Sequence, residues 1–75
     1  MRTLSEELIR LRQADAHIAD AIRRIELQRA LIASMTTATD EKARAEALLS
    51  TMQATLDQFT AHRDAILESI QRLRR

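Results

Sequence analysis

Apolar residues recur at spacings of three, four or seven along most of this 75-residue chain. Such spacing places them on one stripe of an α-helix, at the a and d positions of a heptad repeat. In the first half these positions hold Leu4, Leu8, Leu11, Ile18, Ile22, Ile25 and Ile32. In the second half they hold Leu49, Met52, Leu56, Phe59, Ile66, Ile70 and Leu73. The repeat predicts two helices that pack against each other.

The composition favours an all-α fold. The chain contains no glycine, no proline and one aromatic residue, Phe59, so it lacks the residues typical of sheets and barrels. A lone two-helix hairpin of this size buries too little apolar area to offset the entropy lost on folding. Cysteine is absent, so neither disulfides nor thiolate metal sites can stabilise it. We therefore expect self-association, most simply as a homodimeric four-helix bundle.

Charge and hydropathy narrow the environment of the chain. No segment reaches the roughly 18 apolar residues of a transmembrane helix, and residues 1–7 become acidic where a signal peptide would become apolar. We therefore expect a cytoplasmic protein without membrane partners. The 12 basic and 11 acidic residues nearly balance, so strong attraction to nucleic acid is not expected. In size and architecture the chain is similar to small bacterial secretion co-chaperones and filament subunits, a likeness of fold alone.

Capping patterns delimit the two helices. Thr3 and Glu6 form a capping box that starts the first helix directly after Thr3. A Thr-rich stretch with poor helix propensity then precedes acidic residues suited to the start of a second helix. Thr37 with Asp40 forms a weaker capping box, and Thr39 is an alternative N-cap. The predicted elements are helix one at about 4–35, a turn at about 36–38 and helix two at about 39–74.

A single continuous helix, about 110 Å long at 1.5 Å per residue, is the alternative fold. The heptad phase argues against it, because the second-half a positions lie one residue earlier than a continuation of the first-half positions. This slip falls in the Thr-rich stretch. Long coiled coils can absorb such a slip, so the sequence leaves this alternative open.

The pairing of a with d positions also predicts the register of an antiparallel hairpin. One register pairs Leu4 with Ile70 and centres the turn on Thr37, inside the stretch with poor helix propensity. The neighbouring registers would centre the turn on residues 33–34, which are part of the helical pattern, or on residues 40–41. We favour Thr37 and keep residues 40–41 as the rival.

Two a positions carry opposite charges, Asp15 on helix one and Arg63 on helix two. In the favoured register they lie one layer apart, so we predict an interhelical ion pair. A buried pair of this kind adds little net stability, and its best attested use is to select register or partner. We predict a register-setting polar pair, with solvated charges at the edge of the seam as the alternative.

Five further apolar residues lie outside the predicted seam: Ile9, Leu27, Leu31, Leu48 and Leu67. A second apolar stripe on both helices widens each apolar face beyond what a two-stranded seam needs. This width suits a four-helix bundle built from two hairpins, or a groove for another helical protein. We predict that these five residues form the oligomer or partner interface of a protein-interaction or assembly module.

The open end of the hairpin suggests an alternative function, nonspecific binding of nucleic acid. It carries Arg2, Arg10, Arg12, Arg72, Arg74 and Arg75. Four acidic residues share that end, and no aromatic residue there is available for base stacking. The electrostatic and stacking signals for this alternative are therefore weak.

His17 and His62 come from opposite helices at similar heights. Two histidines lack the third ligand that most metal sites need, so we expect no metal and no cofactor. Separately, Leu11-Arg12 followed by Arg29 resembles the first helix of the helical chorismate mutases over about a third of the chain. That resemblance implies a mutase-like enzyme as a remote alternative.

The chain departs from the mutase pattern at several points. Asp40 stands where that family carries a lysine, residues 52–53 read Met-Gln in place of Arg-Glu, and the third helix is missing. We carry over no catalytic residue from the family. The residues of the chain predict neither an enzyme nor a small-molecule substrate.

Overall fold

The computed structural model describes residues 1–36 and 38–75 and contains two α-helices, α1 at Leu4–Ser34 and α2 at Asp40–Leu73. The helices pack side by side as an antiparallel hairpin that measures 56 × 14 × 14 Å. The predicted all-α hairpin is therefore confirmed, and the continuous helix is wrong. Over the described ranges there is no strand, and neither helix has a stretch both long and apolar enough to cross a membrane.

The start of α1 follows the predicted capping box. The Thr3 hydroxyl accepts a hydrogen bond from the backbone N–H of Glu6 at 3.2 Å and donates one to the Glu6 carboxylate at 3.2 Å. The carboxylate thus contacts the hydroxyl, where the capping box predicts a contact with the backbone N–H of Thr3. The hydrogen bond from the Glu6 N–H to the Thr3 hydroxyl satisfies one of the free N–H groups at the start of the helix.

Thr39 caps α2. Its hydroxyl accepts a hydrogen bond from the backbone N–H of Lys42 at 3.2 Å, and Asp40 and Glu41 occupy the first turn, near the positive end of the helix dipole. The alternative N-cap of the sequence is therefore the one used. Thr37, the predicted centre of the turn and first member of the other capping box, lies outside the described residues.

The core of the hairpin is thin. Three of its apolar members, Ala14, Ile66 and Ile70, cluster near the open end, where Leu4 and Leu11 pack against them. The residues buried across the described chain are Glu7, Ala14, Ile25, Ala45, Ile66 and Ile70. All three buried residues of α2 occupy predicted a or d positions, so the seam of α2 faces α1 as expected.

The orientation of α1 differs from the prediction. Leu8 and Ile22, predicted at a positions in the seam, are 36% and 42% exposed, and Asp15 and Arg29 are exposed as well. The residues one position earlier are buried or half-buried: Glu7, Ala14, Ala21 and Gln28. Successive helical residues are about 100° apart, but only one of the two stripes that form the seam changes, because the d positions remain in it. The centre of the seam therefore moves by about half of that angle, and α1 is rotated by about 50°.

Charge and size explain the rotation. A seam that enclosed Asp15 and Arg29 would desolvate two charges, whereas the seam that forms buries one, Glu7, which Arg10 pairs. Ala14 takes the place of Asp15 in the seam, where its small apolar side chain is buried. The consequence is that Leu8 and Ile22 remain partly in water.

Two interhelical contacts define the register. The Gln28 side-chain amide donates a hydrogen bond to the backbone carbonyl of Ala45 at 2.9 Å. The His17 and Phe59 rings lie 5.8 Å apart, centroid to centroid. Both contacts lie closer to the register that the sequence centres on residue 37 than to the rival centred on residues 40–41.

Candidate interaction surface

The hairpin exposes more surface than a compact protein of its mass. Its accessible area is 5741 Å², whereas a compact monomer of 8.6 kDa exposes about 4,700 Å². The excess of about 1,000 Å² resembles the roughly 800 Å² that each partner contributes to a standard protein interface. Large apolar side chains account for part of it: Met1, Leu8, Ile9, Ile22, Leu27, Leu31 and Leu48 are exposed.

The first of two opposite faces of the hairpin is here called the Ile22 face. It consists of Leu8, Asp15, Ile22 and Arg29 of α1 with Arg63 and Leu67 of α2. The four α1 residues are seven apart and therefore share one side of the helix. Arg63 contacts Asp15 across the hairpin, and Leu67 lies one helical turn beyond Arg63 on the same side.

The opposite face is here called the Leu48 face. It consists of His17, Arg24 and Leu31 of α1 with Leu48 and Thr55 of α2. The contact of the His17 ring with Phe59 places the α1 residues on this side, and an open groove brings His17 and Arg24 together with Leu48 and Thr55. Met52 and Phe59 form the apolar floor of that groove.

The structure divides the five predicted interface residues between the two faces. Leu31 and Leu48 belong to the Leu48 face, and Leu27 lies one turn before Leu31 beside it. Leu67 belongs to the Ile22 face and is half-buried, while Ile9 lies next to Leu8, further from α2. No single helix pair docked on one side can cover all five. Their role in an interface stays a prediction.

The Ile22 face carries two apolar residues that the sequence reasoning missed as surface residues, Leu8 and Ile22. The heptad pattern placed them inside the seam of the hairpin. One signal could have revealed them: the charged Asp15 and Arg29 share their heptad position, and a stripe with two charges in four positions is poorly suited to burial.

The predicted pair of Asp15 and Arg63 is in contact. The Arg63 Nε–H donates a hydrogen bond to the Asp15 carboxylate. The side chain of Asp15 is 51% exposed and that of Arg63 is 35% exposed. Within a single hairpin the pair therefore lies at the rim of the seam. An exposed pair contributes about 0–1 kcal/mol to stability. The role of this pair in register or assembly stays a prediction.

The Leu48 face carries more charged side chains on α1 than the Ile22 face does. Asp20 accepts a hydrogen bond from Arg23 at 2.7 Å and forms an ion pair with Arg24, whose Nε lies 2.9 Å from its carboxylate. These side chains are largely hydrated. Apolar side chains outside the seam occur on this face mainly toward the turn, at Leu27, Leu31 and Leu48.

A buried carboxylate, Glu7, lies at the open end of the hairpin. Its side chain is 1% exposed, and Arg10 donates a hydrogen bond to Oε1 at 2.8 Å. That bond is the main reason why the pKa of Glu7 is lowered from its ordinary value of 4.5. Burial acts in the opposite direction, and Ser69 and the charge of Arg2 lower the pKa further. Oε2 has no hydrogen-bond partner among the described residues.

The sequence places Glu7 among the four acidic residues that reduce the positive charge of the open end. Its burial follows from the rotation of α1, because Glu7 lies one heptad before Ala14 in the true seam. Arg10 and Arg2, two of the six arginines at that end, interact with this carboxylate. Part of the positive charge at the open end is therefore compensated internally.

The other patterns noted in the sequence are dispersed. His17 and His62 line different grooves, and no three His, Cys, Asp or Glu side chains within residues 1–36 and 38–75 are grouped to hold a metal ion. Arg12 and Arg29, which carry the resemblance to the mutases, are both exposed and line neither groove.

Comparison with known proteins adds no further constraint. No protein family matches the chain, and neither a curated protein nor a solved structure matches it at a significant level. The surface of the hairpin is therefore the basis on which its function is inferred.

Proposed function

We propose that the protein is a small assembly module that acts by helix–helix association, with a second copy of the same chain as its partner. The observation that carries this proposal is the excess of about 1,000 Å² of accessible surface over that of a compact chain of the same mass. Two hairpins that pack face to face would remove an area of this order and complete a four-helix bundle.

The thin core supports the same proposal. Five apolar residues are buried in the described part of the single hairpin, and two of them, Ala14 and Ala45, are small. Burial of apolar area is the main favourable term in folding, and a chain of this length has little of it to spare. Half-exposed Leu8 and Ile22 would gain most from a partner, because each already lies beside the seam.

Thermal unfolding at a series of protein concentrations tests the proposal. If folding is coupled to dimer formation, mass action raises the midpoint of unfolding with concentration. We expect helical circular dichroism to melt in one transition whose midpoint rises steadily as the chain is concentrated. A midpoint independent of concentration, in a chain that remains helical, would contradict self-association and leave a different helical protein as the partner to be sought.

A further inference from the structure

We infer that the second copy docks on the Ile22 face, antiparallel to the first, about a two-fold axis at the level of Asp15. This inference rests on the proposed self-association and specifies its surface and geometry. The excess area corresponds to one standard interface per chain, so one face of the hairpin is sufficient.

The distribution of apolar residues selects the Ile22 face. On α1, Leu8 and Ile22 lie beside the seam, one heptad before and one heptad after Asp15. On α2, Leu67 lies at the level of Leu8. The apolar stripe of α1 is thus wider than α2 can cover, and its uncovered margin extends along half of the helix. A second hairpin placed there would complete the burial of that margin.

The Leu48 face is less suitable for a second copy. The α1 positions that correspond to Leu8, Asp15 and Ile22 are occupied on this side by Arg10, His17 and Arg24. Arg10 is held by Glu7 and Arg24 by Asp20, so a dimer formed here would desolvate two charge clusters.

The spacing of the Ile22 face is compatible with two-fold symmetry. Leu8 and Ile22 each lie seven residues from Asp15, which is about 10.5 Å along the helix axis. A two-fold axis that lies in the interface, perpendicular to the helix axes at the level of Asp15, places Ile22 of one copy at the level of Leu8 and Leu67 of the other. The two Asp15–Arg63 pairs then meet at the axis, where each arginine lies near both carboxylates.

Charge distribution selects the antiparallel orientation. Residues 1–12 and 64–75 at the open end carry six arginines and four acidic residues, whereas residues 13–63 carry six basic and seven acidic residues. A parallel dimer would bring the two net-positive ends together. The antiparallel dimer places each positive end beside the slightly negative remainder of the other copy.

Cysteine cross-linking tests this geometry cleanly, because the chain has no cysteine of its own. Leu8→Cys chains and differently tagged Ile22→Cys chains are mixed and treated with a short bis-maleimide linker. The antiparallel dimer predicts that the mixed product dominates. Two copies of Leu8→Cys should not react with each other, because their thiols lie about 21 Å apart along the axis.

A control on the opposite face uses Leu31→Cys mixed with Leu48→Cys, which should give no linked product. Linkage of this control pair, or of each Ile22-face variant with itself, would overturn the inferred geometry. If the unmodified chain still had the mass of a dimer, the proposed function would stand. A monomeric mass for the unmodified chain would overturn both.

A second measurement covers the case in which a cysteine at the interface weakens the dimer. Ala33 is exposed near the turn, outside the seam. Spin labels on Ala33→Cys should be separated by about 54 Å along the axis in the antiparallel dimer. A short distance between the labels, set only by the width of the bundle, would contradict the antiparallel orientation.

Discussion

The Ile22 face and the Leu48 face are built from the same two helices, yet they differ in where their leucine and isoleucine side chains lie. On the Ile22 face these side chains lie beside the seam, before and after the Asp15–Arg63 ion pair along the helix. On the Leu48 face they are confined mainly to the turn end, and arginine and histidine occupy the rest of the α1 edge. Exposed apolar residues are therefore informative through their position relative to the seam and to charges, more than through their number.

The largest expected difference between the faces concerns a buried charge. We expect Ile22→Glu to weaken dimer formation at least about 100-fold, because a carboxylate without a partner would be buried at the interface, a penalty of roughly 3 kcal/mol. Leu31→Glu should change the dissociation constant little, since its side chain stays in water. Analytical ultracentrifugation of both variants measures the difference. Dissociation by Leu31→Glu alone would reverse the assignment of the faces.

A milder form of the same comparison truncates one leucine on each face. Leu8→Ala should lower the free energy of unfolding of the proposed dimer by about 2 kcal/mol per chain, because that dimer would bury Leu8. Leu48→Ala should lower it by less than about 0.5 kcal/mol, as for an exposed site. Urea unfolding at one fixed protein concentration measures both values. Equal losses would show that the two leucines have similar environments in solution.

Each face also carries an ion pair, so their coupling energies can be compared. A double-mutant cycle on Asp15 and Arg63 should give a coupling of at least about 1 kcal/mol, because the proposed dimer would remove the pair from water. The matched pair Asp20 and Arg24, separated by four residues on α1, should give about 0.3–0.5 kcal/mol. The double variant Asp15→Leu/Arg63→Leu should remain helical, but its dimer should no longer have a single antiparallel orientation. The distance between spin labels on Ala33→Cys in this variant would show the mixture. A uniquely antiparallel double variant would refute the register-setting role.

The smallest expected effect depends on pH and arises at Glu7. Because its native pKa lies below the ordinary value of 4.5, the carboxylate contributes stability above about pH 4.5 and loses it as pH falls through the native pKa. The unfolding midpoint of the wild-type chain should therefore fall more steeply on acidification than that of Glu7→Gln. Thermal melts between neutral pH and pH 3 would show this, and parallel curves for the two chains would exclude the contribution.

The sequence predicted those features that depend on local pattern. Thr3 and Thr39 cap the helices because a hydroxyl at those positions satisfies a free N–H group. The seam of α2 was correct because its apolar positions are interrupted by a single charge, Arg63. The contact of that arginine with Asp15 was also predicted, since it required only the register.

The orientation of α1 could not be predicted from the heptad alone. Leu4, Leu11 and Ile18 belong both to the predicted seam and to the seam that forms, so they do not discriminate between the two. The choice depends on whether Asp15 or Ala14 is buried against α2, which is a property of the packed pair. The burial of Glu7 follows from that choice, because Glu7 lies one heptad before Ala14. For the same reason the sequence alone could not show that the five predicted interface residues lie on two opposite faces.

Sedimentation equilibrium of the unmodified chain, across a wide concentration range, tests the central claim most directly. The proposed assembly predicts a mass that rises with concentration to a plateau at twice 8.6 kDa. A helical chain whose mass stays at 8.6 kDa at every concentration would contradict self-association and the face assigned to it.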